Sequence, residues 1–353
     1  MDESLIIALK DVESAYTTKA QEQLYLKSIN LKVTTGEILA VVGRTGAGKN
    51  ALLRCIGLLD RPLTGIIAID NKNLTFLASK ELMNERRSIG FISAKPEFIN
   101  SKSLQKNVAL PLQIQNFYGK GEIEKLVEQA LVKVDLEART HVSPSTLTPV
   151  QKIQADIARS LVNSPKILLC EDIFSGLDQK SVETLTNLLR QLQQELRLTI
   201  IITTNDAEII KTLCHSVVIM QQGTIIERCS VYDLFTNPIS DVAKDFIRFT
   251  TKHELPFSLR KKIITHGAEK HHALVRINFN DCLAPEEILS NTLEAHELKM
   301  NIIQAYQEKI QSRIVNIMLI EIYGNLNTVH DAVRFLNTNG LKSEIIGYVP
   351  NID

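Results

Sequence analysis

From about residue 4 to residue 245 the chain alternates short apolar, β-rich runs with longer stretches of helical periodicity. The runs at 37–42, 166–170, 198–203 and 216–220 lie between helical patterns, which predicts a mainly parallel α/β sheet. This is the first expected domain, residues 1–249. Between 250 and 272 the pattern breaks into Thr-Thr-Lys-His-Glu-Leu-Pro and a basic, histidine-bearing stretch with Lys261, Lys262, His266, Lys270, His271 and His272. It reads as a solvated linker rather than a metal site, because no cysteine or carboxylate completes a ligand set at metal spacing. Beyond it come strand candidates at 273–280, 301–307, 314–323 and 343–349, with helices at 285–298 and 328–339. The order βαββαβ over residues 273–353 predicts a ferredoxin-like sandwich, a fold that often hosts small-ligand sensing but does not by itself prove it.

Composition supports two domains and narrows the partners. A chain of 353 residues exceeds what a single core usually serves. Charged residues make up 23% and cancel to a formal net charge of zero, so bulk electrostatics favours neither nucleic acid nor an anionic membrane surface. The five cysteines, Cys55, Cys170, Cys214, Cys229 and Cys282, are odd in number, scattered and mostly inside apolar segments. That pattern fits buried thiols in a reducing, cytosolic compartment. The N-terminus lacks a basic region followed by an apolar core, and no apolar run approaches the ~20 residues that cross a bilayer. A soluble protein that meets membranes only through a partner is expected.

The strongest chemical signal is Gly43-Arg44-Thr45-Gly46-Ala47-Gly48-Lys49, which follows a predicted strand and precedes a helix beginning near Asn50 and Ala51. Glycines at 43, 46 and 48 let the backbone wrap an anion with its N–H groups, the helix N-terminus adds its dipole, and Lys49 supplies a point charge for the β and γ phosphates. The next position departs from the rule. Phosphate loops of this type continue with Ser or Thr, whose hydroxyl joins a Mg²⁺ shell at about 2.1 Å, whereas Asn50 brings a longer, neutral amide. Weakened Mg²⁺ binding is expected.

With that loop in place, the chain resembles the ATP-binding-cassette ATPases, and within them the methionine-importer ATP-binding subunits (MetN-type). The resemblance runs nearly the whole length, through 54–62, 107–112, 165–170 and 345–349. It implies a P-loop ABC domain of mainly parallel sheet with a helical subdomain, followed by a ferredoxin-like (ACT-like), NIL-type domain that senses methionine. It also implies ATP and Mg²⁺ as ligands, a permease partner, a homodimer through both domains, and a peripheral position on the inner face of a bacterial cell membrane. Asn301 falls where the family places a ligand-binding asparagine, and it equally fits an ordinary polar residue at a strand edge. Tyr16 matches the aromatic that stacks on adenine, or serves packing alone.

Carried over position by position, the family's chemical motifs are largely altered. Ala94 stands where a glutamine would contact Mg²⁺ and the attacking water. The signature motif, Leu-Ser-Gly-Gly-Gln in the family, is Leu147-Thr148-Pro149-Val150-Gln151 here. Pro149 removes an N–H and Val150 adds bulk where bare backbone must approach a γ-phosphate. Thr148 as N-cap with Pro149 at the first helical position remains a sound helix start. The acidic pair is Glu171-Asp172, reversed from the family's Asp then Glu, so Glu171 takes the Mg²⁺-side position and Asp172 falls about one C–C bond short of the water. Ser175-Gly176-Leu177-Asp178 keeps the family's loop that couples two subunits. Asn205 replaces a switch histidine; it can donate a hydrogen bond but cannot carry a proton, and a simple polar strand end fits it as well.

Two functions follow from this resemblance. One is a motor in which two copies sandwich ATP and drive a methionine permease under control of the C-terminal domain. The other is a nucleotide-binding regulator that no longer cycles, a pseudo-ATPase. Soluble cassette ATPases of DNA repair or translation are disfavoured by the neutral charge and the absence of a long coiled-coil insertion.

Overall fold

A computed structural model describes residues 4–17, 22–115, 117–255, 259, 261–265, 267, 271–278, 285–310 and 313–350. It divides into two compact units, Met1–Cys229 and Ser230–Asp353. In the first unit, β1 (Leu5–Thr17), β2 (Glu22–Thr34) and β3 (Ile38–Val42) lead into α1 (Lys49–Ile56). There follow β4 (Thr64–Ile69), β5 (Lys72–Asn73), α2 (Ser79–Glu85), β6 (Ile89–Ser93), and the helices α3 (Leu104–Val108), α4 (Leu110–Gln115), α5 (Lys120–Val132) and α6 (Pro149–Leu161). The unit continues with β7 (Ile167–Glu171), α7 (Gln179–Leu196), β8 (Thr199–Thr203), α8 (Ala207–Leu213), β9 (Ser216–Gln221) and β10 (Thr224–Ser230).

The expected parallel sheet is present, with strand order β10-β9-β3-β8-β7-β6. Its β3–β8, β3–β9, β6–β7 and β7–β8 pairs are all parallel. The four apolar runs singled out in the sequence are β3, β7, β8 and β9. Every residue of β3 and β8 is buried, as strands covered on both faces must be. A second sheet, ordered β2-β1-β4-β5, was not anticipated. Its inward residues Ile7, Leu9, Val12, Ile29, Leu31, Ile67 and Ile69 join α1 and the parallel sheet in one core.

Glu37, immediately before β3, anchors the entry to the strand that carries the phosphate loop. Its carboxylate accepts from the Ser216 hydroxyl, from Thr34 N (2.9 Å) and Oγ1 (3.1 Å), and from Arg228 Nη2 (2.9 Å). Burial opposes its charge, but the Ser216 hydroxyl, the Thr34 N–H and Arg228 outweigh burial and hold the carboxyl below the ordinary glutamate value. A carboxylate depressed in the folded state contributes stability that is present above its unfolded pKa and lost as pH falls through the lower folded one. Glu37→Gln is therefore expected to lower stability by about 2 kcal/mol at neutral pH. That deficit should close as the pH falls below the ordinary value of 4.5. Thermal melts of both proteins across pH 3 to 7 test this, and a deficit that stays constant into acid would count against it.

In the second unit, α9 (Val231–Thr236) and α10 (Asp241–Glu254) precede β11 (His271–Asn278), α11 (Pro285–Ala295), β12 (Lys299–Ile310), β13 (Arg313–Tyr323), α12 (Leu326–Thr338) and β14 (Lys342–Pro350). The antiparallel sheet has the order β12-β13-β11-β14. With the βαββαβ sequence of elements, this is the ferredoxin-like arrangement. Leu289 and Leu293 of α11 and Val329, Ala332 and Leu336 of α12 cover Ala273, Val275, Ile277, Ile320 and Ile322 on one face.

The division between units falls earlier than the expected boundary at 249. Arg276 Nη1 donates to Phe235 O at 2.9 Å, and Arg248 Nε lies 3.1 Å from Glu344 Oε1, so polar contacts attach α9 and α10 to the sheet of the second unit. The expected linker is also partly structured: α10 runs to Glu254, Ile264 and Tyr348 exchange backbone hydrogen bonds at 2.9 Å, and His271 and His272 open β11. His266 and Lys270 lie outside the described residues, as do positions 279–280 of the first strand candidate and Cys282. The side chains of Cys55, Cys170 and Cys214 are buried, and that of Cys229 is half-buried. Among the described residues no helix is long and apolar enough to cross a membrane.

Candidate nucleotide-binding site

The loop 43–48 starts where β3 ends, between two parallel neighbours, β8 and β9. It therefore opens at the carboxyl ends of adjacent parallel strands, the edge at which α/β sheets hold ligands. Gly43 has no room for a side chain: a Cβ there would stand 2.5 Å from the Met220 carbonyl oxygen. Gly48 precedes α1 with φ of 100°, a left-handed conformation that glycine adopts without strain. Arg44, Thr45 and Gly46 are exposed and Ala47 is buried, while Asn50 is exposed and Ala51 half-buried on the first turn of α1. The free N–H groups of that turn and its dipole face the loop.

Lys49 bends back over the loop. Its Nζ donates to Gly43 O at 2.6 Å and Arg44 O at 3.4 Å. Partial burial lowers its pKa, against an opposing pull from Asp172. Asn205, which follows β8, also holds that glycine. Its Oδ1 accepts from Gly43 N at 3.1 Å, and its Nδ2 donates to Gly43 O at 3.1 Å. Pairing both backbone groups of one residue requires a donor and an acceptor on one planar group, which an amide supplies. Neither expectation for Asn205, a phosphate contact or a plain strand end, included this clamp on the loop.

The acidic pair at the end of β7 splits in two directions. Asn50 Nδ2 donates a short hydrogen bond to Glu171 Oε1. Burial and the adjacent Asp172 raise the Glu171 carboxyl above its ordinary value, although Arg54 and Asn50 pull it down. Asp172 has φ of 48°, its N–H donates to Thr203 Oγ1 at 2.9 Å, and that hydroxyl lies 3.5 Å from Asp172 Oδ1. Ala94 abuts this corner, its N–H donating to Glu171 O at 3.1 Å, but its methyl offers no oxygen. The loop, Lys49, Asn50, Ala94, Glu171, Asp172 and Asn205 are thus linked through short contacts at one end of the sheet.

The signature segment forms a helix start, as its residues predict. Thr148 Oγ1 accepts from Gln151 N at 3.3 Å, and Gln151 Oε1 accepts from Thr148 N at 3.0 Å, with Pro149 at the first position of α6. Leu147 is buried and Val150 half-buried. Asp178 caps α7 by accepting from Ser181 N at 2.9 Å. Sequence reading passed over Asp156 and Arg159 on α6. Asp156 Oδ2 accepts from Ser93 N at 3.3 Å, and its Oδ1 accepts from Arg159 Nη2 at 2.6 Å. Arg159 also donates to Glu97 O at 2.8 Å, so the segment containing Ala94 is stapled to the signature helix. An oppositely charged pair three residues apart on the buried face of an amphipathic helix was the available signal.

Asn301 lies on β12 opposite Glu321 of β13 and is exposed. Glu321 accepts from the Tyr323 hydroxyl at 2.8 Å and sits 3.2 Å from His272 Nδ1. Tyr16 pairs with Gln23 across β1 and β2, and its side chain lies outside the described residues.

The donors at the expected Mg²⁺ position do not fit that ion well. Mg²⁺ requires a near-octahedral shell of oxygens at about 2.0–2.1 Å. Here Asn50 turns its N–H₂ toward Glu171, Ala94 contributes no side-chain oxygen, and the Asp172 carboxylate has the Thr203 hydroxyl 3.5 Å from its Oδ1. Among the described residues no cluster of three His, Cys, Asp or Glu side chains forms a metal site elsewhere.

Comparison with known proteins gives a consistent family. The "ABC transporter" domain family matches residues 26–175, and the "NIL domain" family matches residues 273–345. The methionine import ATP-binding protein MetN of Coxiella burnetii is 35% identical over 346 residues, covering 98% of this chain and 98% of the relative. That of Aliivibrio fischeri is 32% identical, covering 98% of this chain and 100% of the relative. Among solved structures, the dimeric post-hydrolysis state of the ATP-binding cassette MJ0796 bound to ADP and Pi superposes with a TM-score of 0.59 at 29% identity, over 64% of this chain and 99% of that one. The cbiO1 protein of Clostridium perfringens, part of the ABC transporter complex cbiONQ, gives 0.61 at 28% identity, over 72% and 97%.

Proposed function

Because this chain belongs to the family of methionine import ATP-binding proteins, the ATP-binding subunits of ABC importers, we propose that it binds ATP at the Gly43–Lys49 loop with a weak or lost hydrolytic step. One observation carries the binding half: the start of the loop is braced at Gly43, by Lys49 on Gly43 O and by the Asn205 amide on both backbone groups of Gly43. A phosphate would displace Lys49 from two carbonyls and give its ammonium a charged partner, the stronger kind of hydrogen bond. The loop N–H groups and the first turn of α1 supply the rest of the anion site.

The weak hydrolytic step rests on the residues that would have to position water. Asp172 is short and bonded to Thr203, Ala94 cannot hold water, and Asn205 is engaged with the loop. Those same bonds favour the second reading, a nucleotide-binding regulator that does not cycle. In either case the chain pairs with a second copy, as the dimeric cassette MJ0796 does. It docks on a membrane permease at the inner face of the cell membrane, and its C-terminal unit senses methionine through a site that includes Asn301.

Titration calorimetry of the purified chain, with ATP and with methionine on separate aliquots, tests both halves. Saturable heat with each is expected. No heat with ATP would end the nucleotide reading, and no heat with methionine would end the sensor reading.

A further inference from the structure

If the loop takes ATP as proposed above, the position after Lys49 decides how the phosphate charge is met. We propose that this chain binds the nucleoside triphosphate without a divalent cation, Asn50 donating an N–H to a phosphate oxygen where the resemblance places the metal.

Asn50 stands on the first turn of α1, beside Lys49 and the loop, and is exposed. Its Nδ2 carries two protons, of which one is spent on Glu171 Oε1. The orientation of the amide follows from its partner, since a carboxylate accepts and does not donate. The second proton is left for a phosphate. In the arrangement the resemblance implies, an acid at this place holds a metal and the metal holds the phosphates. Here the acid holds an amide, and the amide takes over the contact to the phosphates.

The neighbouring groups agree with this substitution. A hydroxyl after Lys49 and a glutamine at 94 would each bring an oxygen toward the metal; here Asn50 turns its N–H₂ to Glu171, and Ala94 brings only a methyl. Asp172, the other carboxylate of the corner, has the Thr203 hydroxyl 3.5 Å from its Oδ1. Arg54 forms a two-point pair with Asp60, at 2.7 and 2.8 Å, and also acts electrostatically on Glu171. The positive charge in the site then comes from Lys49, the loop backbone and the helix end, all of which are present without metal.

The test is equilibrium binding of a fluorescent ATP analogue to the full-length chain, in buffer with MgCl₂ and in buffer with EDTA. Wild type is expected to show dissociation constants within about threefold of each other, and Asn50→Ala to bind about tenfold more weakly in EDTA, the loss expected for one hydrogen bond to a charged group. A wild-type loss of about tenfold or more on adding EDTA would overturn the inference and leave ATP binding standing. Absence of binding in both buffers would overturn both. Asn50→Ala binding as tightly as wild type in EDTA would overturn the role given to the amide. The wild-type comparison needs no variant, so the result does not depend on whether Asn50→Ala folds.

Discussion

Lys49→Ala is expected to weaken ATP binding by at least about a hundredfold, or about 3 kcal/mol. Its ammonium is tied to the loop itself, 2.6 Å from Gly43 O. Hydrogen bonds to charged groups contribute about 1.5–3 kcal/mol each, and a lysine at this place reaches more than one phosphate oxygen. The fold should survive. Gly43 keeps its two bonds to Asn205, and α1 keeps its buried face of Leu52, Leu53, Cys55 and Ile56. Binding isotherms together with thermal melts separate the two effects. Undiminished affinity in a folded variant would show that the nucleotide, if bound, does not use this loop.

Steady-state ATP turnover by the wild-type chain, assayed with a permease, is expected to stay below about 0.1 per second, roughly a hundredfold under the median enzyme rate. A catalytic group misplaced by about 1 Å loses a factor of that order, and Asp172 is both shortened and turned toward Thr203. Asp172→Glu alone should not restore the rate, because groups that act as a unit give little when one is repaired. Ala94 would still hold no water, and Pro149 would still lack an N–H at the start of α6. Turnover of several per second would contradict the proposal directly.

The two results are independent. Binding depends on a loop whose glycines and lysine are intact, whereas turnover depends on positions where the residues have changed. A protein that passes the first test and gives the low rate of the second is a nucleotide-responsive subunit. In that protein, occupancy of the loop rather than its hydrolysis would carry the signal.

Much of the architecture was legible along the chain because it is local. Short continuous apolar runs rich in β-branched residues fit strands covered on both faces, and β3, β7, β8 and β9 appear where those runs stand. The βαββαβ order of the second unit was equally readable from alternation and turns, and so was the start of α6 at Thr148 and Pro149. The sheet β2-β1-β4-β5 was missed because its strands gain their burial from distant partners such as α1. The compact units part ahead of the change in composition for the same reason. Composition changes after residue 250, but Arg276 bonding to Phe235 and Arg248 pairing with Glu344 attach the preceding helices to the later sheet.

What the order of residues determined by itself is the kind of site: a strand, a glycine-rich turn and a lysine at a helix start make an anion cradle whatever surrounds them, because the donors are backbone groups within seven consecutive positions, 43 to 49. What only the tertiary structure decided is how the altered side chains are used. Asn50 meets Glu171, Asn205 meets Gly43, and Asp172 meets Thr203 across separations of 121, 162 and 31 residues. Hydrogen bonds act over about 3 Å, so which donor faces which acceptor is settled only when the strands are brought side by side.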